Sequence, residues 1–116
     1  MKQRDDIGGL IMIPDKDEFS PEDTVTITVT NKTEQNVIFS DSALGARVYR
    51  AGNTNPVQFV RSPAEVVLKP DQSYKIGFAL DEPGEYIVKV RGLSSSRSGE
   101  IISAETRIKV TKTIRE

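Results

Sequence analysis

The sequence has no cysteine and no histidine. Without cysteine there is no disulfide, no thiolate ligand and no thiol nucleophile, so the fold stands on packing and hydrogen bonds in any redox compartment. Without histidine the chain lacks the side chain that most often moves protons or binds transition metals near neutral pH. A histidine-based triad is excluded, together with most zinc, copper and haem sites. Tryptophan is absent too, and Phe and Tyr make up only 6% of the chain, mostly at inward positions, which argues against a sugar-stacking surface. No apolar run approaches the roughly 20 residues of a membrane helix. Charge of one sign is also missing: sixteen basic and seventeen acidic residues leave a net charge of −1, without the basic excess that captures phosphate backbones. Acidic residues are scattered over turns and outward positions, not paired as glycoside hydrolysis needs. The expectation is a non-enzymatic protein with no cofactor and no metal, no nucleic-acid partner and no membrane insertion.

A chain of 116 residues is about one domain. "MKQRDD" at the start lacks the apolar run and small-residue cleavage site of a signal peptide. The expected organisation is a flexible segment over 1–6, one domain over 7–112 and a short tail over 113–116. The location is cytoplasmic if Met1 is the native start, and extracytoplasmic if the chain is a fragment or a processed form.

Alternation is the dominant pattern. In "TVTITVTN", Val25, Ile27 and Val29 fall on one face while Thr24, Thr26, Thr28 and Thr30 line the other, a period of two that specifies a half-buried strand. "IGGLIMI" precedes it as a first strand ended by Pro14. "NVIFS" follows, with Val37 and Phe39 inward. "ARVYR" and "VQFV" flank the turn-rich "AGNTNP", and "AEVVL" ends at the turn "KPDQS". "SYKIGFAL" sets Tyr74, Ile76, Phe78 and Leu80 against Ser73, Lys75, Gly77 and Ala79. In "DEPGEYIVKV", Pro83 and Gly84 set a turn, and Tyr86, Val88 and Val90 share the inner face of the next strand. A tyrosine at that strand start buries its ring while its hydroxyl bonds back to the preceding corner, as in many two-sheet sandwiches. "GLSSSRSGE", Gly92 to Glu100, reads as a flexible loop before the last strand, "IISAETRIKVT". No segment sustains a helical period with a cap. The pattern predicts an all-β fold, an antiparallel two-sheet β-sandwich of immunoglobulin-like type with about 7–9 strands; strand order stays open.

"DTVTITVTNKTEQNVIF", "VYRAGNTNPVQFV", "LKPDQSYKIGFAL" and "PGEYIVKV" together resemble the BsuPI-like domain, the intracellular proteinase inhibitor family, over about Phe19 to Val90. Asp71 stands where that family usually has glycine. The resemblance implies a non-catalytic protein that binds other proteins, serine proteases among them, and it transfers no contact residue. "VTITVTN", "LKP" and "PGEY" also resemble the cupredoxins, but those hold copper through histidine and cysteine, so that kinship is architectural.

Binding resides most often in loops carried on a rigid sandwich. The candidate partner-binding residues are Leu44, Arg47, Tyr49 and Arg50 in "SDSALGARVYRAGNTNP", and Leu93, Ser95 and Arg97 in the loop after Gly92. Arginine and tyrosine are enriched at interface hot spots. The bland alternative is an edge strand whose arginines only confer solubility. Asp15, Asp17, Glu18, Glu22 and Asp23 form an acidic cluster that reads as a solvated loop or, alternatively, as a calcium site. Asn31 opens the triplet "NKT", a glycosylation sequon in an exported chain. The functional expectation is a protein-binding module whose partner is a protease or an assembly subunit: an inhibitor, or a structural or adhesive subunit of a surface, pilus or secretion assembly. The oligomeric state is open.

Overall fold

The computed structural model describes residues 9–21, 23–57, 62–95 and 100–111. Among these residues nine strands form in chain order: β1 (Leu10–Pro14), β2 (Glu18–Phe19), β3 (Thr24–Asn31), β4 (Val37–Phe39), β5 (Arg47–Arg50), β6 (Val66–Leu68), β7 (Ser73–Ala79), β8 (Gly84–Ser94) and β9 (Ile101–Val110). They build two sheets, β1-β3-β7 and β2-β9-β8-β4-β6, with β5 beside β4 on the same side of β8. Among the described residues there is no helix. This is the expected immunoglobulin-like β-sandwich. Among the described residues the one departure from antiparallel pairing is β2, which runs parallel to the end of β9.

The alternation read from the sequence decides which face each strand buries. Val25, Ile27 and Val29 of β3 meet Val37 and Phe39 of β4, Val88 and Val90 of β8, and Ile108 and Val110 of β9 in a single core. Each such side chain, fully buried, contributes about 1.5–3 kcal/mol of transfer free energy. A one-residue register slip would turn this whole set to water, so pairing is tightly specified.

Two polar contacts join the sheets where apolar packing cannot. Asn31, at the end of β3, is fully buried, and its Nδ2 donates to the carbonyls of Gln35 and Leu68, both at 2.8 Å. Its Oδ1 accepts from the Thr33 amide and hydroxyl at 2.9 and 2.7 Å. With its amide so engaged and buried, the folded chain offers no acceptor at the "NKT" sequon. At the β7–β8 corner, the Tyr86 hydroxyl donates to the Glu82 carbonyl at 2.6 Å, as expected for a tyrosine at this strand start. Burial pushes the Tyr86 phenol above its ordinary pKa, with Arg50 opposing.

One expectation is corrected. The loop expected from Gly92 begins later, because β8 continues through Ser94 and pairs Leu93 with Ile101. Gly92 permits this: a Cβ there would lie 2.8 Å from both the Phe39 ring and Val37 Cγ1, so only glycine fits beneath them. The expected strand "VQFV" is described only at Val57, which lies outside any strand while its amide donates to the Val48 carbonyl at 2.7 Å. The remainder of that run lies outside the described residues, as do the segments 1–6 and 113–116.

The acidic connection between β1 and β2 carries the chain from one sheet to the other. Asp23 Oδ2 accepts from the Ser20 amide at 2.9 Å and pairs with Lys16 at 3.1 Å. Those contacts, the Ser20 amide first, hold its carboxyl below the usual range. Among the described residues, which exclude Glu22, no three carboxylates gather as a metal site.

Candidate functional site

On β8, the residues between the buried Tyr86, Val88, Val90 and Gly92 point outward: Ile87, Lys89, Arg91 and Leu93. Strand register then places neighbours beside each. Val67 of β6 lies opposite Ile38 of β4, Ile38 opposite Leu93, and Leu93 opposite Ile101 of β9. Adjacent strands are about 4.8 Å apart, so these four apolar side chains form a row about 14 Å long straight across the sheet. Val67, Leu93 and Ile101 are 43%, 50% and 56% exposed, and Ile38 is half-buried. They account for three of the five large hydrophobic residues that stand exposed among the described residues.

Next to this row lies a cluster of cations. Arg91 is opposite Ser103, and Lys89 is flanked by Arg47 of β5 on one side and Glu105 of β9 on the other. Tyr49 follows, opposite Ile87, with Lys89 Nζ 5.7 Å from its ring centroid. A cation over a tyrosine face is held there by the ring quadrupole without losing its charge. No ion pair among the described residues engages Arg47, Lys89 or Arg91.

The hollow between these side chains comes from the β4–β5 connection. Asp41 Oδ1 accepts from the amides of Ala43 and Gly45 at 2.8 and 3.1 Å, closing a tight turn in which Leu44 and Gly45 take φ of 56° and 66°. A Cβ on Gly45 would sit 2.8 Å from the Arg91 carbonyl oxygen, so the turn depends on glycine. The resulting depression of ≈ 450 Å³ is lined by Ser40, Asp41, Arg47, Tyr49, Lys89, Arg91 and Ser103. A second, of ≈ 310 Å³, lies on the other side of Tyr49 against Ile87 and Asn53, and a third, of ≈ 380 Å³, separates Ile38 and Leu93 from Glu65. The face offers fixed positive charge beside apolar surface, an arrangement suited to recognition.

The structure places the sequence candidates unevenly. Arg47, Tyr49 and Leu93 come together on this face. Ser95 lies just past the end of β8, exposed, with its amide bonded to the Asn36 carbonyl at 2.9 Å. Leu44 is corrected: it is 0% exposed, because the positive-φ turn drives its side chain into the core. Arg50, although exposed, braces the tyrosine corner. It pairs with Glu82 and donates to the Pro83 carbonyl, both at 2.7 Å. Arg97 lies outside the described residues. Ile38, Val67, Ile87, Lys89, Arg91 and Ile101 were not among the candidates. Their signal was present in the alternation, since each falls out of phase with the inward residues of its own strand.

No protein-family model matches the chain, so the BsuPI-like resemblance rests on its sequence motifs. No curated protein matches it either. Among solved structures, the E. coli chaperone DraB is similar with a TM-score of 0.60 and 16% identity, over 89% of this chain and 53% of that one. The sporulation control protein Spo0M from Bacillus subtilis is similar with a TM-score of 0.54 and 19% identity, over 91% of this chain and 50% of that one. The chain thus spans about half the length of these two structures. At such identities the likeness is one of fold, and the fold is a β-sandwich.

Proposed function

We propose that this domain is a non-catalytic protein-binding module that engages another protein through the outer face of its six-stranded sheet. The observation that carries the reading is the apolar row Val67, Ile38, Leu93 and Ile101, aligned by register and left exposed. A continuous exposed apolar strip rimmed by polar groups is a mark of protein interaction surfaces, whereas scattered single residues are not. The absence of histidine and cysteine from the sequence favours binding over catalysis. The partner is an assembly subunit in preference to a protease. An inhibitor that enters a protease cleft presents a projecting segment, whereas this surface lies on paired strands.

The test uses the whole chain immobilised beside two variants, Leu93→Asp on this face and Thr28→Asp on the opposite face. A partner retained by the parent and by Thr28→Asp but lost with Leu93→Asp is the expected result. Equal retention by all three overturns the reading. Stoichiometric mixing with trypsin-like and subtilisin-like proteases addresses the inhibitor alternative: slowed proteolysis with the chain left intact would restore it.

A further inference from the structure

We infer that the partner of this face is an acidic polypeptide segment, one that presents carboxylates beside large apolar side chains; the inference rests on the protein-binding reading above. Arg47 and Lys89 stand directly opposite each other on antiparallel strands, and like charges so placed repel. Arg91 follows two residues along β8, about 7 Å away. Glu105 is the acidic neighbour of Lys89 in register, yet no ion pair among the described residues relieves any of the three cations. Asp41 lines the same hollow, but its Oδ1 is turned to the amides of Ala43 and Gly45. The concentration is local, because the chain as a whole carries a net charge of −1. Among the described residues these three cations therefore stand side by side with no ion pair of their own, and an outside carboxylate supplies that contact.

The anion's surroundings identify its class. Along β8 the outward order is Leu93, Arg91, Lys89, Ile87, spanning about 20 Å. An extended segment projects alternate side chains at the same spacing, so one carrying apolar, acidic, acidic and apolar residues at alternate positions matches it throughout. The same face of a second copy does not match, since a two-fold contact would set the same cations against Arg91 and Lys89. A nucleic acid or an anionic bilayer satisfies the cations, but it leaves the strip from Val67 to Ile101 facing phosphates.

Isotope-labelled full-length chain is titrated with two synthetic peptides that carry Leu and Ile at the ends and either two Glu or two Gln at the intervening alternate positions. The Glu peptide should shift the amides from Ile87 to Leu93 and bind about tenfold tighter than the Gln peptide, an advantage that shrinks as salt rises through about 0.5 M. The double variant Lys89→Glu, Arg91→Glu should keep the parent melting temperature, lose the Glu peptide and gain one carrying Lys at those positions. Equal binding of the Glu and Gln peptides at this face overturns the acidic inference and leaves the protein-binding reading standing. No shift with either peptide, or tighter competition by single-stranded RNA or phosphatidylserine vesicles, also overturns it. Whether the reading itself fails is decided separately, by the Leu93→Asp retention experiment.

Discussion

On the outer face of the three-stranded sheet, β3 presents Thr24, Thr26, Thr28 and Thr30, with Ser73, Lys75, Gly77 and Ala79 of β7 beside them. At the same alternate positions of the six-stranded sheet, β8 presents Ile87, Lys89, Arg91 and Leu93. Threonine is what strand formation alone selects for a wet face: β-branched to suit the pleat, with a hydroxyl to satisfy water or a neighbour. Thr30 and Ser73 share such a hydrogen bond at 2.7 Å. Ile11 and Ile13 stand exposed at the margin of this face, but in register with Thr30 and Thr28, and Lys75 lies one strand further on, across Thr28. What sets the larger sheet apart is that its exposed apolar side chains lie in one row across the strands with clustered charge beside them. The difference separates residues that the fold requires from residues that it only tolerates, and the tolerated ones are where function is sought.

The comparison assumes one rigid frame displaying both faces, and the largest expected effect comes from breaking that frame. Asn31→Leu fills a similar volume but strands the Leu68 carbonyl and the Thr33 amide, at about 1–3 kcal/mol for each group left unpaired, while the Gln35 carbonyl keeps its bond from the Thr33 hydroxyl. A total loss near 3 kcal/mol should lower the melting temperature by more than about 10 °C, measured by circular dichroism. A loss below about 1 kcal/mol would mean that water replaces Asn31 and that the sheets are joined by apolar packing alone.

Adjacent residues of β8 sharpen the contrast between inward and outward positions. Gly92→Ala places a methyl against Phe39 and Val37 and should cost about 1–3 kcal/mol through overpacking. Leu93→Ala, one residue on, should leave the urea midpoint within about 0.5 kcal/mol of the parent while weakening partner binding. Equal destabilisation at both sites would make Leu93 a structural residue and remove the basis for a functional face.

That pair also shows how much the sequence disclosed. The longer strands, their inward faces and the Tyr86 corner were legible because each depends on neighbours within a few residues; β2 was not, since Glu18 and Phe19 lie inside the acidic run that reads as a loop. Period two located Val88 and Val90, and "PGEY" located the turn. The apolar row was not legible as a row, because Ile38, Val67, Leu93 and Ile101 are brought into line only by the pairing register, which no local pattern specifies. Leu44 misled for a related reason. Its turn composition suggested the surface, but a turn can fold inward when two successive residues adopt positive φ. Arg50 had the right chemistry for an interface and a structural occupation instead, visible only once Glu82 and Pro83 stood beside it.

Two of the corners that link the sheets carry smaller effects. At the β7–β8 corner, Tyr86→Phe removes the bond to Glu82 and should cost about 1 kcal/mol at neutral pH. Because the folded-state pKa of Tyr86 is raised, its contribution is complete below the ordinary tyrosine value of about 10 and is lost as pH rises through the folded value. Melts across that alkaline range should therefore fall more steeply for the parent than for the Phe variant. Parallel curves would show that the phenol ionises equally well in the folded and unfolded chain.

At the β6–β7 corner, Asp71 holds a left-handed φ of 68°, donates its amide to the Asn31 carbonyl and pairs with Lys32 at 3.1 Å. Glycine is the residue that takes such a φ without strain. Asp71→Gly relieves a strain of up to about 1 kcal/mol, but it frees the unfolded chain by a comparable amount and gives up an exposed ion pair worth about 0–1 kcal/mol. The three terms nearly cancel, so the expected change in stability is within about 0.5 kcal/mol. Asp71→Val, which keeps the strain and loses the pair, should instead destabilise by about 1–2 kcal/mol. If the glycine variant proves more stable by over about 1 kcal/mol, the ion pair contributes nothing and strain dominates this corner. If valine is tolerated as well as glycine, the turn relaxes to a negative φ, and this corner constrains the smaller sheet less than Tyr86 constrains the larger one.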